Sequence, residues 1–99
     1  MSAVIDIGTI VATNPKIHGG RPIIAGTGVT VQRIAVFYKN GFSPEEIARK
    51  LNHLSLAQIY SALAFFHANR ESIEAEILAE DNAYESLMNQ HYKTLPLQP

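Results

Sequence analysis

The stretch from Ser43 to Phe66, SPEEIARKLNHLSLAQIYSALAFF, decides the fold. It opens on a serine followed by proline and two glutamates, so Ser43 can cap a helix, Pro44 takes the first helical position, and Glu46 can close a capping box. Ile47, Ala48 and Leu51 then face inward over about two turns. After Asn52-His53-Leu54 a second cap, Ser55, starts a helix whose inward face is expected to be Leu56, Ile59, Ala62, Leu63 and Phe66. Two capped helices joined by three or four residues, the second with small residues outward, form the pattern of a helix-turn-helix.

Upstream, Thr30 is a plausible N-cap, and Val31, Ile34, Ala35 and Tyr38 draw one apolar stripe that Asn40-Gly41 ends. Before it lies His18-Gly-Gly-Arg-Pro-Ile-Ile-Ala-Gly-Thr-Gly-Val-Thr-Val31, with four glycines around a short β-branched run. Ile5 to Thr13 reads as a strand that the Asn14-Pro15 turn ends, and Pro22-Ile23-Ile24 as a second, shorter extended piece. Too short to make a sheet alone, the two are expected to pair with each other or with a second subunit. Downstream, a break near Asn69 starts a last helix from Arg70 to about Gln90. Its stripe is Ile73, Ile77, Tyr84, Leu87 and Met88, and Glu80-Asp81 interrupt it where another apolar residue is due. A stripe so broken suits order that depends on a partner. The tail TLPLQP is expected to be unstructured or draped. Residues 1–29 thus hold the β element and glycine turns, 30–69 the helix-turn-helix core, and 70–99 an acidic helix and tail.

The chain of 99 residues is one domain, 46% hydrophobic and 17% charged, a generous apolar share that leaves some surface for another chain. It has no cysteine, which excludes disulfides and thiolate metal sites and suits a reducing cytosol. No apolar run approaches the length of a membrane helix, and the N-terminus lacks signal-peptide order, so a cytoplasmic protein without a membrane partner is expected. The net charge of −1 hides a split. Residues 1–70 carry seven of the eight Lys and Arg against Asp6, Glu45 and Glu46, a balance of +4; residues 71–99 carry Lys93 against six acids, a balance of −5. Such a split separates a nucleic-acid-facing body from an arm that meets something basic, or it marks a solvated helix face.

In a helix-turn-helix, Ser55, Ala57, Gln58 and Ser61 are the residues expected to face DNA. Gln58 can read adenine and Ser61 can reach base or phosphate, while Arg49 and Lys50 position the backbone. Against this, no Lys or Arg occurs between Ser55 and Asn69, and the same shape serves as a plain packing unit. Gly26-Thr-Gly28 lacks the Gly-Lys-Ser/Thr of a Walker loop and the third glycine of a dinucleotide fingerprint. A nucleotide or other small ligand at the glycine turn is therefore the lesser alternative to a simple turn. The four histidines are scattered without metal-ligand spacing, and no base stands at a readable spacing from a nucleophile. No cofactor, metal or enzymatic activity is expected.

Pro22-Ile-Ile-Ala-Gly-Thr, Val29-Thr-Val31, Gly41-Phe-Ser-Pro-Glu-Glu-Ile-Ala48, His53-Leu-Ser-Leu and Ile59-Tyr-Ser-Ala-Leu-Ala64 together make the chain closely resemble the bacterial domain-of-unknown-function family 433 over about residues 14–75. The resemblance implies a mostly α, homeodomain-like helix-turn-helix bundle behind a short N-terminal β element. It also implies a VapB-like antitoxin whose partner is a PIN-like ribonuclease toxin. The family usually shows Gly-Thr-Arg-Ile-Pro-Val where this chain has Gly26-Thr-Gly-Val-Thr-Val31, so Gly28 removes a charge and Thr30 supplies a cap. The expected function is that of an antitoxin that binds its toxin and, as a homodimer, double-stranded operator DNA. On this reading Phe65, Ile73, Ile77, Tyr84, Leu87 and Met88 bind the partner, and the acidic helix is drawn to a basic ribonuclease cleft. A protein-interaction module of the same fold without DNA binding is the alternative.

Overall fold

A computed structural model of the chain describes the backbone of residues 4–94 and the side chains of residues 4–90. Two short strands, β1 (Val11–Ala12) and β2 (Ile23–Ile24), precede four helices: α1 (Val31–Lys39), α2 (Pro44–Lys50), α3 (Leu56–Ala68) and α4 (Arg70–Thr94). The molecule is mostly helical with a small antiparallel sheet at its N-terminal end, as the sequence indicates.

The glycine segment turns the chain. β1 and β2 pair antiparallel, Val11 opposite Ile24 and Ala12 opposite Ile23. On its other side β2 meets the chain again, through the bridge of Ile23 to Thr30 and the bonds Ile24 N to Val29 O (2.9 Å) and Val31 N to Pro22 O (2.9 Å). The reversal is a tight turn, Thr27 N to Ile24 O (3.0 Å), whose third residue Gly26 has φ 78°, a conformation glycine adopts at little cost. Ile23 and Ile24 are buried as a result. The strand expected over Ile5–Thr13 is shorter than the sequence suggests. Asp6 accepts from Gly8 N (2.9 Å) and turns Ile7–Thr9 into a single 3-10 turn, leaving Ile5 and Ile7 exposed.

Each helix starts where its cap stands. Thr30 Oγ1 accepts from Arg33 N (3.0 Å) at α1. Ser43 and Glu46 form the full capping box at α2, and Ser55 and Gln58 form a second one at α3. α1 ends in a Schellman arrangement, Gly41 N to Tyr38 O (3.0 Å) and Phe42 N to Phe37 O (3.2 Å), with Gly41 at φ 94°. The hydrophobic contact that accompanies such an ending is Phe37 edge-on to Phe42, centroids 5.7 Å apart.

The core joins Ile24, Val31, Ile34, Ile47, Leu51, Ile59, Leu63 and Phe66, with Ile73 brought in from α4. Two residues assigned inward from the sequence lie otherwise. Leu56 is 45% exposed and Tyr38 38%. Leu56 is the first residue of α3, where the Cα–Cβ bond tilts back toward the helix start; Tyr38 lies at the edge of the core with its ring against Phe66 and His67. α4 starts immediately after Asn69, as expected, but runs to Thr94 rather than about Gln90. It lies against α1 and α3 in its first half and then leaves the body, so the molecule measures 70 × 29 × 23 Å. The tail beyond Thr94 lies outside the described residues.

Candidate nucleic-acid and partner interfaces

α2 and α3 form the bent pair, with Asn52, His53 and Leu54 between the C-cap Leu51 and the N-cap Ser55. Of the residues assigned to DNA, Arg49 and Ala57 are exposed, and Gln58 and Ser61 are half-buried. Lys50 is exposed too, but its ammonium lies over the Phe42 ring, 4.7 Å from the centroid. Ser55 and Gln58 are occupied with each other: Ser55 Oγ accepts from Gln58 N (3.1 Å) and Gln58 Oε1 from Ser55 N (2.7 Å).

The outer face of α3 is neutral and largely apolar, made by Leu56, Ala57, Tyr60 and Ala64. Its nearest charge is negative. Tyr60 donates its hydroxyl to Glu45 on α2 (2.8 Å), which holds the Glu45 carboxyl below its ordinary range and pushes the Tyr60 phenol up. A carboxylate fixed beside the second helix weakens its attraction for phosphate, the component that supplies most affinity for a duplex.

The partner-binding candidates separate by depth. Phe65 is half-buried against the core, Ile73 is 2% exposed, and Ile77 is partly covered. Met88 is half-buried, whereas Tyr84 and Leu87 are 65% and 66% exposed on the projecting end. By helical spacing Tyr84, Leu87 and Met88 continue the face that carries Ile73 and Ile77. Tyr84 and Leu87 are open because they lie on the part of α4 that projects from the body.

The charge split is partly closed within the chain. Glu74 Oε1 receives Lys39 Nζ (3.2 Å) and Arg70 Nε (3.4 Å). Glu80 receives Arg21 on one oxygen and the Gln32 amide on the other, and Arg21 also donates to Gln32 Oε1 (3.2 Å). Both carboxyls are held below their ordinary range, Glu80 chiefly by Arg21 and Glu74 chiefly by Lys39. The Glu80 interruption in the apolar stripe therefore marks a clasp that ties α4 to α1 and to the segment before β2. Gln32, a buried polar residue among Val31, Ile34 and Ala35, is its other sequence trace. Glu71, Asp81 and Glu85 fall along one flank of α4 and make no ion pair among the described residues. No three His, Asp or Glu converge on a metal-sized space among the described residues, and none of the helices there is long and apolar enough to cross a membrane.

The family described as "Protein of unknown function (DUF433)" matches residues 11–66. The fold is similar to the crystal structure of a DUF433 member protein from Anabaena variabilis ATCC 29413, with a TM-score of 0.66 and 21% identity, over 71% of this chain and 69% of that one. No curated protein matches the chain.

Proposed function

We propose, for a chain that belongs to the DUF433 family, that it acts as a binding protein of the VapB-like antitoxin type, gripping a PIN-like ribonuclease through the far end of α4. The observation that carries the reading is the open seam of Tyr84 and Leu87 on a helix end that leaves the body. Beside it, Asp81 and Glu85 give an acidic flank, so the fitting partner offers an apolar slot edged with basic residues. The role is binding rather than catalysis, and it needs no cofactor.

The test looks beside this gene for a PIN-like reading frame and expresses it with and without the chain. Wild type restores growth and intact RNA; Tyr84→Asp with Leu87→Asp does not, although the variant melts at the wild-type temperature because neither residue touches the core. Full neutralisation by that variant, or the lack of such a neighbouring reading frame, overturns the reading.

A second reading, operator DNA bound by a homodimer in the cytoplasm, is favoured by the exposed Arg49 in the last turn of α2 together with the capped start of α3. Two copies double the cations that one copy offers too sparsely. A shift assay on upstream DNA across a salt series reads it out: a steep fall of affinity with salt supports phosphate contact, and a flat or absent shift removes it.

A further inference from the structure

We propose that the concavity between the glycine hairpin and the outward face of α1 binds a small aromatic anion, a carboxylate or phosphate carried on a flat ring. It encloses about 470 Å³, within the range of small-ligand sites. His18 and Gly28 form its hairpin side, Arg33, Val36 and Phe37 line it along α1, and Phe42 stands at the far end.

The apolar wall is built before any ligand arrives. Phe37 and Phe42 are locked edge to face at an interplanar angle of 79° by the backbone that ends α1, a surface suited to a second flat ring. With Arg21 paired to Glu80, the charge left over on the described lining is positive. Arg33 is exposed and makes no ion pair among the described residues, and its fork of donors matches a carboxylate or phosphate. Lys50, which does not line the space, holds its ammonium over Phe42. Glu80, the one carboxylate lining the space among the described residues, is bound by Arg21 and Gln32. His18 Nε2 donates to the Gly28 carbonyl (2.8 Å), which fixes the ring on the hairpin side.

Gly28 borders the site and tolerates a side chain. A Cβ there meets nothing within 4 Å, and its φ lies outside the left-handed region, so a large side chain fills empty space without backbone strain. Tyr84 and Leu87 do not line the concavity, and the proposal stands apart from toxin binding.

The experiment titrates the full chain with 2-naphthoate, followed by amide shifts in two-dimensional NMR, with uncharged 2-naphthamide and ringless acetate as controls. Saturable shifts centred on residues 18–42 and on Glu80 are expected with naphthoate, and binding at least about tenfold weaker with either control. Arg33→Ala and Gly28→Phe should each weaken naphthoate by a similar factor at unchanged melting temperature, while Arg49→Ala leaves it unaltered. Equal binding of the amide, shifts centred elsewhere, indifference to both Arg33→Ala and Gly28→Phe, or no saturation overturns the proposal.

Discussion

Replacing Glu80 by alanine should loosen α4 from its last attachment while leaving the core intact. The pair with Arg21 is solvent-open, with side chains 35% and 54% exposed, which limits its direct contribution to about 0.2–1 kcal/mol. Gln32 is different. At 7% exposure its amide loses a charged acceptor, a change of about 1.5–3 kcal/mol in a dry site. Water enters where the carboxylate was, since Glu80 is itself half open, and about 1 kcal/mol of that is expected to remain. The sum is about 1–2 kcal/mol, and at about 4–8 °C per kcal/mol for a chain of this size the melting temperature drops by roughly 5–15 °C if α4 melts with the body. Glu80→Gln, which keeps the shape and one acceptor, should lose about half as much. Thermal denaturation by far-ultraviolet circular dichroism gives the global figure. Amide hydrogen exchange gives the local one, with faster exchange expected from residue 76 onward. A melting temperature within about 1 °C of wild type, together with unaltered exchange in α4, would refute the clasp as a stabilising attachment of the helix beyond Ile77.

Three further outcomes follow from the packing. Ile59→Ala removes a fully buried side chain and should cost about 2–5 kcal/mol, whereas Leu56→Ala, one turn earlier and half in solvent, should cost under about 1 kcal/mol; denaturant midpoints at constant slope compare them, and equal losses would contradict the burial. Gly41→Ala places a Cβ at φ 94° and should destabilise by about 1 kcal/mol, read by the same midpoints. Glu74 and Glu80 titrate lower in the folded chain than their ordinary value of 4.5, so they contribute stability above that pH. The contribution fades as pH falls through the folded values, and a melting series from neutral to acid should show the fall shrink in a Glu74→Gln, Glu80→Gln double variant.

The parts of the fold that were legible in the sequence are those written within a few residues. Ser43, Pro44 and Glu46, Thr30, and Asn40-Gly41 fix three helix boundaries, because a cap and the amide it satisfies are neighbours in the chain. Ile5–Thr13 misleads for the same local reason: a β-branched run reads as a strand, yet one aspartate closes a turn inside it. The clasp was visible only as an anomaly. Glu80 breaks an apolar stripe, but its partners Gln32 and Arg21 stand 48 and 59 positions earlier, a distance over which no periodicity speaks. The concavity is likewise invisible in the sequence, since it arises where α1 turns its outer side toward a hairpin and a later helix. Which end of α4 stands clear of the body depends on how far α1 reaches beneath it, and hydrophobic spacing carries no measure of that.

The reciprocal bonds between Ser55 and Gln58 make any reader of Gln58 a competitor of the helix itself. A nucleobase or peptide that recruits its carbonyl draws that oxygen away from the Ser55 amide, so recognition there and the firmness of the first turn trade against each other. Variation at the two positions should consequently be coupled: without the serine hydroxyl the Gln58 amide loses its acceptor and the helix start rests on the glutamine carbonyl alone, so recruiting that carbonyl then costs the first turn its remaining cap.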